Sequence, residues 1–534
     1  MIKWSLVACV FLYWLLPASP VLCDAAEWDK NITSSPAAYR QYLDGQKYQR
    51  EGNRQRAIAS YEKAIEIDPH FALALWKLGM TIRQGDLAAY KKKSELLERA
   101  MKLPGRLSVR DHLAVQGDYF LMSRYRYGRA IEVFEKWLKL FPNDFDAHRG
   151  LGDVYFDIEE WKKAAEQYQY LIEHSEARPA LYRKLALAYI NPGLYDQAEK
   201  TLKQCLDRHG DNLDVYLSLA TVCQYRGDYD SAQRVVDRAI ALYPDVASCH
   251  ERKANIDHYL GDLDKAEAGY RKLLDDPRPE FHALGLYRMS ELRFLQGRFK
   301  EARDLATQGY EYAKKNESKG MMRDRLSLLA VLDMATGRPE EALKRQEVLW
   351  KTTIKDEELE WQRFIVYCKG LIYAQTGRLE RALEEANRLS MLLPKGLDEK
   401  KERLLLHLMG VIELERKNYH KAAEYLEKCL PMICLRSRLN IAVADSLAEA
   451  YFGMGDFKKA RKQYERMTIF PRGRQYYGDL YALRLYHLGQ CHEAEGNKAK
   501  AVECYRNFVD MWKDADPEIV ELKSASRKLG ELNN

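Results

Sequence analysis

The chain contains 534 residues, of which 31% are charged and 46% hydrophobic, and it carries a formal net charge of +6. This nearly balanced charge, without a long run of lysines and arginines, gives no reason to expect a nucleic-acid partner. The sequence also lacks a phosphate-binding loop, a GxSxG elbow, an HExxH motif and a dinucleotide fingerprint, which excludes the enzyme classes that these motifs define. We therefore expect neither an enzyme nor a bound cofactor.

The amino-terminal segment has the layout of a secretory signal peptide. Lys3 precedes an apolar run over residues 4–16, and these 13 residues are too few to span a bilayer comfortably. Val21 and Cys23 stand where a signal peptidase requires small residues, which predicts a mature chain that starts after residue 23, with a cut after Ala25 as the alternative. Retention as a membrane anchor and lipidation of Cys23 are two further interpretations. We expect an exported protein, periplasmic or associated with the cell envelope, that meets a membrane only through an uncleaved segment.

Small residues recur at fixed intervals along the rest of the chain. Alanines stand 34 residues apart, and later 40 apart, with a glycine five residues before most of them. The two series are Ala130, Ala164, Ala198, Ala232 and Ala266, then Ala302, Ala342, Ala382 and Ala422. Apolar residues at three and four spacing on both sides of each glycine predict two amphipathic helices per unit. The glycine is expected to end the first helix in the left-handed conformation.

The aligned units carry the pattern of a known repeat. Leu151, Gly152, Tyr155, Ala164 and Tyr168 stand at the offsets of its conserved small and aromatic columns. In period and in pattern the sequence resembles the tetratricopeptide repeat. The resemblance implies a right-handed α-solenoid of stacked antiparallel helix pairs, in which each repeat contacts its neighbours. Counting the alanines, with one degenerate unit over residues 85–100, gives about thirteen repeats.

Two other stretches carry a second resemblance. Residues 106–119 and 505–529 look like parts of the repeat-bearing tails of bacterial receptor-type serine/threonine kinases. The glycine-rich loop, the HRD motif and the DFG motif of the kinase half are missing. The resemblance therefore implies a bacterial partner-binding or sensing array without its enzyme, and no catalytic residue is carried over.

The repeat period changes near Pro277 and Pro279. Six additional residues per unit should change the pitch of the array, because they correspond to about 9 Å of helix. Asp516 and Pro517 are expected to start a capping helix that ends at Gly530, with an apolar stripe of Ile519, Leu522, Ala525 and Leu529. The predicted organisation is a signal peptide (1–23), a linker (24–37), an array of 34-residue repeats (38–277), an array of about 40-residue repeats (278–513) and the cap (514–534).

The cysteines and histidines give no clear site. Cys205, Cys223 and Cys429 fall on core positions of the repeat, which predicts buried small hydrophobic residues, with a Cys205–Cys223 disulfide as the alternative. His487 and His492, or His250 and His258, could ligate a metal with a carboxylate, but their spacings are not those of helical metal sites. Histidines at the solvent edge of a solenoid are the favoured interpretation, and no metal is expected.

The first helices are expected to line the concave groove of the array. A groove of mixed charge with aromatic edges suits an extended peptide or an amphipathic helix of a protein partner. The alternative is that these are ordinary solvated side chains. The residues placed there by repeat position are Asp146, Arg149, Asp153, Phe156, Arg183, Asn191, Gln224, Tyr225, Glu251, Asn255, His258 and Tyr259.

The favoured function is a non-catalytic scaffold or adaptor that binds protein partners in the bacterial cell envelope. The alternative is a glycan-handling component of a polysaccharide export or envelope-assembly machine, suggested by the 35 tyrosines and 9 tryptophans. An enzyme comes third, because the catalytic motifs are missing.

Overall fold

The computed structural model describes residues 32–82, 87–122, 127–356, 359–393, 399–434, 437 and 439–533. Within these residues it contains 28 α-helices, a few short 3-10 turns and no strand. The all-α fold class predicted from the sequence is therefore confirmed. The predicted signal peptide and most of the linker that follows it lie outside the described residues. None of the helices in the described ranges is both long and apolar enough to cross a membrane.

The chain divides into two compact units, Met1–Met122 and Ser123–Asn534. Unit 1 contains α1 (Pro36–Arg50), α2 (Arg54–Ile67), α3 (Ala72–Thr81), α4 (Leu87–Met101) and α5 (Val109–Met122). The first part of unit 2 contains α6 (Tyr127–Leu140), α7 (Phe145–Asp157), α8 (Trp161–His174), α9 (Pro179–Ile190), α10 (Tyr195–His209), α11 (Leu213–Arg226), α12 (Tyr229–Leu242), α13 (Ala247–Leu260) and α14 (Leu263–Leu274). Its second part contains α15 (Pro279–Leu295), α16 (Phe299–Lys315), α17 (Lys319–Ala335), α18 (Pro339–Asp356), α19 (Leu359–Gln375), α20 (Leu379–Leu392), α21 (Arg403–Glu415), α22 (Tyr419–Cys429), α23 (Asn440–Gly453), α24 (Phe457–Arg466), α25 (Pro471–Tyr476), α26 (Gly478–Ala494), α27 (Lys498–Met511) and α28 (Val520–Asn533).

Unit 1 is held by close helix contacts and buried hydrogen bonds. A Cβ added to Gly45 on α1 would lie 2.5 Å from the Tyr61 ring on α2, so this position requires a glycine. The Trp76 indole N–H donates to the Asp118 carboxylate over 2.8 Å, which joins α3 to α5. The amino-terminal repeats thus pack by the small-residue contact that the sequence pattern predicts.

Unit 2 follows the same plan through its repeats. Helices pack in consecutive pairs, and successive first helices also contact each other, as α9 does with α11 and α11 with α13. The repeat alanines are fully buried, and a Cβ on Gly152 would lie 2.8 Å from the Tyr168 ring. These small residues allow the backbones of paired helices to approach closely, and the larger apolar side chains fill the remaining volume.

The glycine between the helices of a repeat has the predicted role. Gly227 ends α11 with φ +84° and Gly261 ends α13 with φ +86°, both in the left-handed region that side chains disfavour. Asp228 and Asp262 follow at once and cap α12 and α14 with their carboxylates. This pair of residues fixes the turn from the first helix to the second.

The longer period appears in the structure as longer helices. α12 and α13 have 14 residues each, whereas α16 and α17 have 17 each. The helices of the first 40-residue units are thus about one turn longer, whereas the later helices α20, α21 and α22 have 14, 13 and 11 residues. The change of pitch expected near residue 277 stays a prediction.

The array of unit 2 returns onto itself, and we call this contact the closure. α25 and α26 pack against α15, which lies about 200 residues earlier in the chain. The Trp512 indole N–H donates to the Leu295 carbonyl over 2.8 Å, and the Asp516 backbone N–H donates to the Gly297 carbonyl over 3.1 Å. Far from this contact, the Arg403 guanidinium binds the Glu159 carboxylate at 2.8 Å, which joins α21 to the turn after α7.

The predicted cap is present but starts later than expected. Ile519, Leu522, Ala525 and Leu529 pack on the core of unit 2 as a stripe. The predicted start at Asp516 is wrong, because this residue is held in the closure, where its carboxylate also accepts from the Lys300 backbone N–H. The predicted end at Gly530 is also wrong, since α28 continues to Asn533.

The candidate site on the inner surface of unit 2

The first helices of the repeats in unit 2 form one layer, whose groove-facing side we call the inner surface. It includes α7, α9, α11, α13 and α15. Eleven of the twelve predicted groove residues lie on these helices, and Asn191 follows the last residue of α9. The structure thus places them on one layer but gives them different surroundings.

The predicted residues on α7 are accessible or half-buried. The Arg149 guanidinium lies 2.8 Å from the Asp146 carboxylate, and its side chain is 52% exposed. The Asp153 carboxylate accepts from the Tyr168 hydroxyl over 2.7 Å and from the Lys184 ammonium of the next repeat over 2.5 Å. This helix therefore presents charges of both signs.

Aromatic and cationic side chains continue this surface. Phe156 packs edge-on against the Trp161 ring at 5.1 Å between centroids. On α9 the half-buried Arg183 guanidinium lies 2.5 Å from the exposed Asp214 carboxylate. Tyr225 on α11 is partly exposed. A run of three repeats thus offers alternating charges with aromatic edges.

Two other predicted residues are buried and have structural partners. The Asn191 amide donates to the Leu187 carbonyl over 2.9 Å, which completes the end of α9. The Gln224 side chain is 3% exposed and accepts from the Arg252 guanidinium over 3.3 Å. These contacts fix helix ends and neighbouring repeats.

The inner surface of α13 is covered by the chain itself. Gln475 on α25 donates to the Asn255 side-chain oxygen over 2.8 Å and accepts from the Tyr259 hydroxyl over 2.7 Å. The Arg474 guanidinium donates to the backbone carbonyls of His258 and Tyr259. The sequence predicts an open groove at this repeat. This prediction is wrong, because α25 packs on α13 and covers its inner surface.

The covered side chains are shielded from water and form a buried polar network. His258 is 1% exposed, and its burial, with Arg474 and Arg288 nearby, lowers its pKa to about 3. The imidazole is thus neutral at physiological pH, and the expected solvent-edge position of this histidine is wrong. The Tyr270 hydroxyl donates to Asn255 over 2.7 Å and completes the buried network.

Glu251 belongs to a charged cluster rather than to open solvent. Its carboxylate accepts from the Arg288 guanidinium of the next repeat over 2.6 Å, and Glu291 binds the same guanidinium. The three side chains are 14%, 18% and 4% exposed, respectively. Glu251 is therefore already paired and is poorly placed to meet a partner.

The sequence pattern missed the residues that cover α13. Arg474 and Gln475 lie in a short helix between α24 and α26, outside every repeat column. Two guanidinium groups lie over the Tyr481 ring, with Arg474 at 4.1 Å and Arg484 at 4.0 Å from its centroid. The one available signal was the unusually long connection between α24 and α26, which contains Pro471.

The described residues contain no group of three or more His, Cys, Asp or Glu side chains placed to hold a metal ion. The eight cysteines from Cys205 to Cys504 are free, so the alternative Cys205–Cys223 disulfide is not formed. Cys205, Cys223 and Cys429 are buried, as predicted.

The fold is an α-solenoid of helix pairs whose first helices pack on one another as one layer. Sequence comparison gives the family. Tetratricopeptide-repeat models match residues 45–71, 121–181, 189–256 and 485–514. The chain thus contains tetratricopeptide repeats in these four segments, which supports a role as a protein-interaction scaffold. No curated protein sequence is significantly similar to it.

Several solved structures are similar to parts or most of the chain. One is a chain of the APC/C hetero-tetramer Cut9-Hcn1, at 13% identity over 94% of this chain and 97% of that chain, with a TM-score of 0.34. A tetratricopeptide repeat protein from Parabacteroides merdae has 14% identity over 55% of this chain and 100% of that chain, with a TM-score of 0.33. PilF from Pseudomonas aeruginosa has 21% identity over 39% of this chain and 93% of that chain, with a TM-score of 0.30.

Proposed function

We propose that the chain is a non-catalytic scaffold in the bacterial cell envelope that binds an extended peptide or a helix of a protein partner. The binding surface is the inner surface of α7, α9 and α11. The observation that carries the proposal is the contact at α13, where the same helix layer already binds a peptide segment, residues 474–475, through side-chain and backbone hydrogen bonds.

The three preceding repeats offer the groups that such binding requires. The guanidinium groups of Arg149 and Arg183 now pair with carboxylates of the chain itself. Each can instead bind a carboxylate or a backbone carbonyl of a partner. Their present ion pairs are exposed and therefore weak, of the order of 0–1 kcal/mol, so a partner can displace them at low cost. Phe156 and Tyr225 add aromatic contact area beside them.

The envelope location rests on the predicted signal peptide. If it is cleaved, the protein purified from its native host should begin at Asp24 or Ala26 and fractionate with the periplasm or envelope. Amino-terminal sequencing of the mature protein tests this. A protein that keeps Met1 and stays in the cytoplasmic fraction would contradict it.

The glycan-handling alternative is weaker because many of the tyrosines that suggested it are core residues. Tyr168, Tyr182 and Tyr270 are fully buried, so their rings cannot stack on a sugar. No specific contact of the inner surface favours a glycan over a peptide.

The scaffold proposal is tested by site-specific photocrosslinking. A crosslinking amino acid at position 183 should capture a partner from envelope fractions, whereas the same residue at the exposed Lys200 on α10 should not. The triple variant Arg149→Ala, Arg183→Ala, Tyr225→Ala should lose that partner in affinity capture. The matched control is Lys200→Ala with Lys203→Ala, which removes charges of α10 and should keep the partner. Equal capture by both variants would overturn the proposal.

A further inference from the structure

A cavity of about 310 Å³ lies between the 40-residue repeats and the α25–α26 turn. Its walls come from α17, α18 and α19 and from Tyr476, Tyr477, Asp479 and Leu480 in residues 474–480, which we call the closing segment. This volume is at the lower end of the range for small-molecule sites, so it suits a compact ligand. The cavity lies apart from α7–α11, so a ligand here is independent of the proposed scaffold function.

The cavity wall is mainly apolar and includes four aromatic side chains. Phe364 and Tyr367 come from α19, and Tyr476 and Tyr477 come from the closing segment. The Tyr367 ring is fixed because its hydroxyl shares a 2.6 Å hydrogen bond with the His407 Nδ1. Aromatic faces attract cations through the negative charge of their π-systems, most strongly where water is excluded.

Two polar side chains of the wall each have one oxygen without a hydrogen-bond partner among the described residues. Gln346 is 2% exposed, and its Oε1 has no hydrogen-bond partner among the described residues. The Oδ1 of Asp479 on α26 is likewise shielded and unpaired within the described part of the chain. A buried acceptor without a donor costs about 1–3 kcal/mol, so both oxygens favour a ligand that brings N–H donors.

The charges around the cavity also favour a cation. The described wall contains no lysine, arginine or histidine, and Asp479 is its one carboxylate. Burial raises the pKa of Asp479 to about 6, so it is mostly ionised at pH 7.5. Asp445 on α23 interacts electrostatically with Asp479, and burial, together with the charges of Glu449 and Asp479, raises the pKa of Asp445.

We propose that this cavity binds a small organic ammonium compound with an apolar or aromatic body. Asp479 pairs with the ammonium group, the aromatic walls surround the body, and Gln346 accepts a second N–H. The same closing segment that carries Tyr476 also carries Arg474 and Gln475, which hold it on α13. The closure therefore positions one wall of the site.

The proposal is tested with tryptamine, which has an ammonium group, an aromatic body and a second N–H. Isothermal titration calorimetry of the full-length mature protein at pH 7.5 should show saturable binding at one site. 3-Methylindole, which lacks the ammonium group, should bind at least tenfold more weakly, and indole-3-propionate, which is anionic, should not bind. Absence of saturable tryptamine binding, or equal binding of all three probes, would overturn the proposal.

Variants locate the site. Asp479→Asn should weaken tryptamine binding at least tenfold, and Leu371→Trp, which fills the cavity from α19, should abolish it. The matched control is Glu503→Gln, an exposed carboxylate on α27 that should leave the affinity unchanged. Circular dichroism shows whether Leu371→Trp remains folded. If it unfolds, the tryptamine affinity of Asp479→Asn alone tests the location of the site. An affinity in Asp479→Asn equal to that of wild type contradicts the assignment.

The pH dependence provides a third measurement. Tryptamine stays protonated across pH 5–7.5, so its binding should weaken as Asp479 gains a proton below about pH 6. The titratable groups near Asp479 are Asp445 and Glu449 on α23 and Cys368 and the tyrosines of the wall, and burial raises the pKa of Asp445, Glu449 and Cys368. The Asp479→Asn variant should lose most of this dependence, and an identical profile in both proteins would count against the ion pair.

Discussion

The inner surface of unit 2 contains two regions that the repeat pattern treats as equivalent. On α7, α9 and α11 the predicted contact residues include accessible side chains, such as Arg149 at 52% exposure. On α13, helix positions of the same kind are covered by α25, and Asn255 and Tyr259 are 4% and 8% exposed. The position of a residue within its repeat thus determines the helix layer on which it lies. Whether its side chain is exposed depends on the packing of α25 against that layer. The following predictions sharpen or break this comparison.

The largest effect is expected at the closure. Trp512 is 1% exposed, packs edge-on against Phe299 and donates to the Leu295 carbonyl. Trp512→Ala should destabilise unit 2 by about 3–5 kcal/mol, because it leaves a cavity and an unpaired carbonyl. Urea unfolding followed by far-ultraviolet circular dichroism measures this. The control is Trp161→Ala on α8, where the ring is partly exposed and the loss should be clearly smaller.

Two glycines allow the tightly packed closure to be compared with an exposed helix face. A Cβ at Gly478 would lie 2.8 Å from the Leu295 Cα, whereas a Cβ at Gly530 would meet nothing within 4 Å. Gly478→Ala should cost about 1–3 kcal/mol through overpacking, while Gly530→Ala on α28 should stabilise by about 0.5–1 kcal/mol. Thermal melts of the two variants should therefore shift in opposite directions. Equal shifts would mean that α26 does not approach α15 closely in solution.

Two charged residues test the open and covered regions directly. Glu251→Ala leaves the buried Arg288 with one partner fewer and should cost about 1–3 kcal/mol. Arg183→Ala removes an exposed pair on α9 and should change stability by no more than about 0.5 kcal/mol. Chemical denaturation of both variants under one set of conditions gives the comparison. A costly Arg183→Ala would show that the α9 surface is already occupied.

The buried histidine on α13 makes the covered region sensitive to acid. The His258 pKa is about 3 in the folded protein, well below its ordinary value near 6.5. Between these values the unfolded chain binds a proton that the folded protein does not, so stability falls as the pH falls, by up to about 1.4 kcal/mol per pH unit. His258→Gln should reduce the slope of unfolding free energy between pH 6.5 and 4.5. An unchanged slope would show that the imidazole is reached by solvent.

The sequence was sufficient for the features that repeat locally. Gly227 and Gly261 end their helices as predicted, and the apolar stripe around Ala525 caps the array. The closure was not predictable, because it depends on the sum of small rotations between many repeats, and no local pattern records that sum. Arg474 could not be assigned for the same reason, since its acceptors on α13 lie 215 and 216 residues away in the chain.

The closure also has a consequence for the order in which the chain folds. Each helix pair can form early from contacts between near neighbours, whereas Trp512 finds the Leu295 carbonyl only after the repeats between them are in place. The closure is therefore expected to be the last contact to form and the first to open when any intervening repeat frays. A destabilising substitution in α19 or α21 should then increase the rate of hydrogen exchange at the end of α13, although α13 itself is unchanged. The opening of this one intramolecular contact thus depends on whether the roughly 200 residues between its two ends are folded.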